Sequence, residues 1–551
     1  MPAPARSEEQ ARATPLKSRE RAPVPGRSAH GPARRWWLRR TSARSPARLR
    51  QPSADRPARS RIHRLTVPAL LALWALLAAA GAARTWGFAI DDFFITYRYA
   101  WNLLAGEGFV FNPGERAFGT TAPGHGLLLA AVATLTRLPI PQAATAVTAA
   151  ALWTIAALLL AEARARGRTA EAAAAGTLVV ASSFLWVHVG SEGPSSLALL
   201  LAAAFHASRR PAAAGLLAGA AVWVRPDAAL GVALLGLLLW RERRRPPWRF
   251  AAAGGLLIAA GTVAARLWFG RWLPATLTAK RLQAEWMPEI WASGVAFVGE
   301  ALRTLRVFYF GSPAVWLVVL GVAGLAAMAA RGGRAHRLLA LYGLGIAIAY
   351  PLLGVAFYAW YLIPTVVAVL YGAAWSCGWA ARRLNAFCGR TPAGRLVAAA
   401  LVALIAVPPA LALAGRSADF LRGTGTTPRH ELYRHAGLWL REHAAPGEVV
   451  SYVEVGTIAY FSRRPVYDLL GLVSPQALPW VERHDLVGAF LAAPTPWLIY
   501  DTQLHGFIQP LREAPWFEAA YRPVARFRHH GNDEVLILYR RRPGATLPPP
   551  G

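Results

Sequence analysis

The feature that most constrains this chain is a succession of apolar blocks, most of them fifteen to twenty residues long, separated by short arginine-bearing turns. A bilayer core needs about twenty apolar residues to be crossed by a helix, and no single water-soluble core absorbs so many such blocks. Composition agrees: 55% of the 551 residues are hydrophobic and 16% are charged, against about a quarter charged in a soluble domain. A soluble enzyme is excluded. The two cysteines, Cys377 and Cys388, rule out a disulfide-stapled scaffold and a multi-cysteine metal site.

Blocks run near 65–84, 144–162, 172–189, 194–208, 212–225, 227–240, 250–269, 307–330, 337–357, 361–381 and 396–414. Residues 1–64 carry 17 basic side chains against four acids and are rich in Pro, Ser and Ala. This composition predicts a disordered cytoplasmic tail whose charge fixes orientation. The remaining stretch, 124–138, is short and bounded by prolines. If it lies along or dips into the outer surface, the basic loops at Arg164–Arg168, Arg209–Arg210, Arg241–Arg249, Arg331–Arg337 and Arg382–Arg395 all face the cytoplasm. If it crosses, all of them face outward, against the positive-inside rule. The expectation is a mainly α polytopic bundle of about eleven spans over 65–414, amino terminus in and carboxyl terminus out. Outer loops are expected at 85–143 and 270–306. Residues 415–551 balance 15 Arg against 13 acids. They read as helix 429–443 followed by strand-like runs at 447–453, 464–470, 496–501 and 534–541, a small extracytoplasmic α/β domain.

Acids at membrane level carry function more often than not. Asp91 and Asp92 open an amphipathic stretch with Phe93, Tyr97, Trp101 and Leu104 at helical spacing, expected to lie on the outer membrane surface. One acid caps a helix; capping explains neither the pair nor its place. On the same face fall Glu192 in the turn Gly190–Pro194, His188 one turn before it, and Asp227 after Arg225 and Pro226. Each also has a structural reading as a turn cap, a local ion pair or a core histidine. Together, converging carboxylates offer a general base or metal ligands. Lysine is nearly eliminated, with only Lys17 and Lys280 among 60 basic residues. Lys280 stands in an outer loop near Arg266, where a compact ammonium suits a phosphate oxygen or simply snorkels. No nucleotide-binding or hydrolase motif occurs, and no cytoplasmic loop is long enough to house a nucleotide-binding domain. A phosphorylated donor must be reached from the membrane, and no nucleic-acid partner is expected.

The segment from Asp91 through Tyr97, Arg98, Trp101 and Asn102 to Glu115 resembles the first outer loop of bacterial glycosyltransferases of the C superfamily, and most nearly the actinobacterial terminal arabinofuranosyltransferases. The resemblance continues at Glu192, at Arg225–Asp227, from Gly270 to Lys280, at Trp360–Pro364 and at Tyr467–Pro475. It implies an integral membrane enzyme of the bacterial inner membrane, with its site on the extracytoplasmic face. The donor would be a polyprenyl-phosphate sugar, and the acceptor a cell-envelope glycan or lipid. Asp91 or Asp92 would be the general base. Lys280, Arg225 and Arg266 would hold the donor phosphate. Glu192, Asp227 and His188 would support the site or bind a metal, and Tyr97, Arg98, Trp101 and Tyr361 would contact substrate. The superfamily varies in metal use, so a divalent cation, Mg or Mn, is compatible but no ligand set is assigned. The chain departs from the family at Thr121-Ala122-Pro123-Gly124-His125 and at Pro274-Ala275-Thr276, where substrate recognition is expected. The other open reading is a non-catalytic scaffold, assembly or transport protein retaining the fold.

Overall fold

A computed structural model describes residues 56–550 apart from 311–314, 390, 424–425 and 532. The expected disordered tail therefore lies mostly outside the described residues, and the first helix starts at Arg56, before the expected boundary at 65. The helical part comprises α1 (Arg56–Arg84), α2 (Asp91–Leu104), α3 (Pro123–Thr136), α4 (Ile140–Arg164), α5 (Thr169–Val180), α6 (Ser183–Val187), α7 (Gly193–His206), α8 (Pro211–Val224) and α9 (Ala228–Arg243). It continues with α10 (Trp248–Phe269), α11 (Thr276–Trp286), α12 (Gly294–Leu305), α13 (Val315–Arg331), α14 (Arg334–Leu353), α15 (Ile363–Cys388) and α16 (Pro392–Arg422). Six described helical stretches are long and apolar enough to cross a bilayer by length and composition, and shorter apolar helices stand between them. The chain is built as a multi-pass membrane protein.

Lipid offers no hydrophobic drive between helices, so close backbone approach through small residues holds such bundles together. Gly215 of α8 faces Gly254 of α10, and a Cβ on Gly215 would lie 2.3 Å from the Phe250 carbonyl. The α8–α10 pair can be this close only without side chains there.

After α16 the chain enters the carboxyl-terminal domain through α17 (Pro428–His443). Its sheet holds β1 (Val450–Tyr452), β2 (Val466–Asp468), β3 (Trp497–Asp501), β4 (Tyr521–Arg528) and β5 (Val535–Arg541), in the order β2-β1-β3-β5-β4. β1 is parallel to β2 and β3, whereas β5 is antiparallel to β3 and β4. β4 is the strand the sequence reading lacks. It is an edge strand carrying Pro523 and three exposed or half-exposed arginines, features that blunt an edge against further pairing and also erase its apolar signal.

The position of α2 differs from expectation. It is not a surface helix: every residue from Phe93 to Ala100 is buried. Phe93, Phe94 and Tyr97 pack into the membrane-bundle core, while Ile95 and Tyr99 pack into the core of the carboxyl-terminal domain. The stripe that looked lipid-facing is one of two apolar faces, and the second domain covers the other. α2 is thus the beam between the two parts, and its amino-terminal end lies at their junction.

Candidate active site

The chain reaches α2 in extended conformation at Ile90, and Asp91 and Asp92 occupy the first helical turn, where the helix dipole favours anions. They then diverge. Asp91 turns to the carboxyl-terminal domain, where its Oδ1 accepts from the Thr457 amide at 2.7 Å and its Oδ2 from the Gly456 amide at 3.0 Å. These are the first amides of α18 (Gly456–Ser462), so Asp91 caps a helix 365 residues away in sequence. Gly456 is required there: a Cβ would lie 1.9 Å from the Asp91 carbonyl oxygen.

Asp92 turns the other way. It lines a pocket with Thr96, Thr120, His125, Glu192 and Lys280, and its Oδ2 accepts from Lys280 Nζ at 3.3 Å. Lys280 sits in an aromatic box. Its ammonium is 3.9 Å from the Tyr358 ring centroid, with Trp360 and Tyr361 further out, and it donates to the Tyr361 hydroxyl at 3.3 Å. Burial opposes its charge, but Tyr361, Tyr358 and Asp92 together hold its pKa above the ordinary lysine value. Lys280 is therefore a fixed cation.

From Tyr361 the network runs on. Its ring stacks on Tyr350 at 4.1 Å between centroids, and Tyr350 donates to Asp227 at 2.8 Å. Arg225 binds Asp227 through Nε at 2.7 Å and Glu192 through Nη1 at 3.2 Å. Arg225 thus braces two acids from two different turns, with its charge already matched. Glu192 reaches the pocket from that brace.

The other residues singled out in the sequence fall into two groups. Tyr361 belongs to the box around Lys280. Tyr97 donates to the Gly190 carbonyl at 3.0 Å, and His188 holds the Phe184 carbonyl at 2.8 Å beside Trp360; both shape the turn that carries Glu192. Arg98 is 1% exposed and donates to the carbonyls of Phe111 and Arg464, tying α2 to the carboxyl-terminal domain. Trp101 lies under the Arg463 guanidinium at 3.7 Å. Arg266 is exposed near Trp272 and is not among the pocket residues.

One member the sequence reading missed is Glu454, in the loop between β1 and α18. A carboxylate oxygen from each of Asp91, Asp92 and Glu454 lies within 4.8 Å of the others. Burial, then Asp91 and further acids, raise Glu454 well above the usual carboxylate range against the pull of Arg429. Burial likewise raises Asp91, although the Thr457 and Gly456 amides lower it. Burial and the neighbouring acids thus favour the protonated form of Glu454. As a metal site its donors fit poorly: Asp91 is committed to two amides and Asp92 to an ammonium. The only local signal for Glu454 was an acid between two valines before a glycine, which is too common to single out.

Beside the polar pocket runs a large apolar groove between α3, α4, α7, α8 and α10, lined by residues such as Leu127, Val147, Leu199, Trp223, Leu257 and Phe269. The first turn of α3 separates the two spaces: Ala122 and His125 face the pocket, and Pro123, Gly124 and Leu127 face the groove.

Residues 422–541 match the family of a domain of unknown function, DUF8728. No curated protein matches the chain significantly. Among solved structures, ArnT from Cupriavidus metallidurans aligns over 86% of this chain and 98% of its own, with 13% identity and a TM-score of 0.52. The same protein bound to undecaprenyl phosphate aligns over 87% and 99%, with 12% identity and a TM-score of 0.53. Mycobacterial arabinofuranosyltransferase AftD gives a TM-score of 0.43 at 15% identity, over 85% of this chain and 41% of that one. Over most of its length the chain shares the fold of ArnT.

Proposed function

We propose that this protein is an integral membrane glycosyltransferase that moves a sugar from a polyprenyl-phosphate donor to a cell-envelope glycan or lipid acceptor. The site would lie on the extracytoplasmic face of a bacterial inner membrane. The observation that carries this reading is the junction of two unlike spaces at α3: an apolar groove suited to a lipid tail abuts a polar pocket holding a carboxylate and a fixed ammonium. A donor that is half lipid and half phosphosugar has this division of chemistry.

Asp92 is the general base in this reading. It takes the proton of an acceptor hydroxyl as the oxygen attacks the anomeric carbon, and the bond from that carbon to the phosphate oxygen breaks. Charge grows on the departing lipid phosphate, and Lys280 stabilises it. Asp91 acts as a strut for the carboxyl-terminal domain, and Arg225 as a brace for Glu192, in place of the base and phosphate roles expected of them. Glu454, raised by burial and its acidic neighbours, is the member of the cluster that favours its protonated form.

The test is transfer of radiolabelled sugar from a panel of polyprenyl-phosphate hexoses and pentoses to cell-envelope acceptors, by membranes with and without the protein. Incorporation that depends on the protein supports the reading and names the donor. Equal incorporation in both membranes across the panel refutes it.

A further inference from the structure

We propose that His125 is a specificity-determining residue of this site: its Nδ1 accepts a hydrogen bond from a hydroxyl of the sugar bound against Asp92 and Lys280. The inference rests on the transferase reading and adds to it the class of group read, a free, unsubstituted sugar hydroxyl.

His125 lies in the first turn of α3, set by Pro123 at the start of that helix, and it lines the pocket together with Asp92, Glu192 and Lys280. The imidazole is 2% exposed. Its Nε2 is 3.1 Å from the Gly190 carbonyl oxygen. A carbonyl only accepts, so Nε2 carries the hydrogen, and the neutral ring presents a bare lone pair at Nδ1. Among the described residues Nδ1 has no hydrogen-bond partner.

The structural duty of this histidine is discharged by Nε2 alone. Gly190 is held from three sides: its amide donates to Thr148 at 2.9 Å, and its carbonyl accepts from Tyr97 at 3.0 Å as well as from His125. Nothing in that arrangement uses Nδ1. A buried acceptor left unpaired is costly, and the cost is recovered when a ligand donates to it. The neighbouring threonines do not serve: Thr96 and Thr120 are paired with each other at 2.9 Å. A phosphodiester has no hydrogen to give, so in a phosphosugar ligand the donor comes from the sugar, whose commonest donor is a hydroxyl.

The discriminating variant is His125→Gln, whose amide nitrogen can keep the bond to Gly190 while the acceptor at Nδ1 is lost. His125→Asn makes the opposite exchange, placing an amide near Nδ1 and giving up Gly190. The full-length protein in nanodiscs is assayed with the polyprenyl-phosphate donor identified above and with its monodeoxy analogues. We expect His125→Gln to lower kcat/KM by about tenfold or more with thermal stability unchanged. One deoxy analogue should cost the wild type the same factor and cost His125→Gln nothing further. His125→Asn should be less stable yet retain discrimination against that analogue. If His125→Gln transfers at the wild-type rate, or if every deoxy donor hurts variant and wild type equally, the inference is overturned while the transferase reading stands. If the wild type transfers from no donor in the panel, both fall together.

Discussion

Replacing each acid of the Asp91–Asp92 pair by asparagine should produce opposite outcomes. Asp91 makes two charge-assisted bonds to the Thr457 and Gly456 amides, at 2.7 and 3.0 Å. Asparagine keeps one acceptor and leaves the other amide facing an NH₂ group. An unmet buried amide costs about 1–3 kcal/mol. The raised pKa of Asp91 shows that burial already outweighs those amides, so removing the charge returns part of the cost. A net loss of about 1 kcal/mol follows, a fall in Tm of a few degrees at most for a protein of this size. Asp92 makes no backbone cap, and its partner is Lys280 at 3.3 Å with the pair partly exposed to the pocket. Asp92→Asn should leave Tm within a degree or two and lower kcat about 10²- to 10⁴-fold, the usual worth of a positioned general base. Both variants are read by differential scanning fluorimetry in detergent and by the radiolabel transfer assay. Asp91→Asn that abolishes transfer at unchanged Tm, or Asp92→Asn that transfers normally, refutes the division of labour argued from the structure.

Other outcomes follow from the same geometry. Lys280→Arg should not substitute for lysine, because the planar guanidinium does not fit the box of Tyr358, Trp360 and Tyr361 around a point charge; kcat for both Lys280→Arg and Lys280→Gln should fall at least tenfold, and a fully active arginine variant would contradict this. Gly456→Ala forces a Cβ to 1.9 Å from the Asp91 carbonyl and should loosen the domain junction, seen as faster hydrogen exchange in α18 and β1, whereas Gly299→Ala, with nothing near its Cβ position, should not. Ala202→Trp, in the apolar groove, should raise KM for long-chain donors far more than for short-chain ones; equal effects would separate the groove from donor binding. Asp468 is fully buried, and that burial pushes its carboxyl up to about 6 from 3.8 against the amides of Val473 and Leu470. The folded state then binds this proton more tightly than the unfolded chain does. Stability from this group is greatest below about pH 4 and is lost as pH rises through about 6, by about 3 kcal/mol. The stability gap between wild type and Asp468→Asn should change by that amount across the window, and a gap independent of pH would show that the carboxyl does not titrate there.

The membrane character of this chain, and several of the residues that line the candidate pocket, are legible in the sequence alone, because the bilayer imposes a rule each segment must satisfy by itself. Apolar blocks long enough to cross, arginine-rich turns between them and a charge-balanced carboxyl-terminal segment are local properties. Asp92, Glu192 and Lys280 were visible for a related reason: a carboxylate or a lone lysine at a span end is costly unless used. Only tertiary structure separated Asp91 from Asp92. The two are adjacent on one helical turn, and their different fates depend on Gly456 and Thr457, 365 and 366 residues away. Glu454 entered the cluster by the same docking, and Arg225 found its charge matched by Glu192 across a neighbouring turn. Nor could periodicity reveal that α2 has a second apolar face, since Ile95 and Tyr99 meet their partners only when the carboxyl-terminal domain packs onto the bundle. Local sequence fixes what each segment must bury, and the packing of distant segments decides which neighbour it is buried against and hence which acid of the pair faces the pocket.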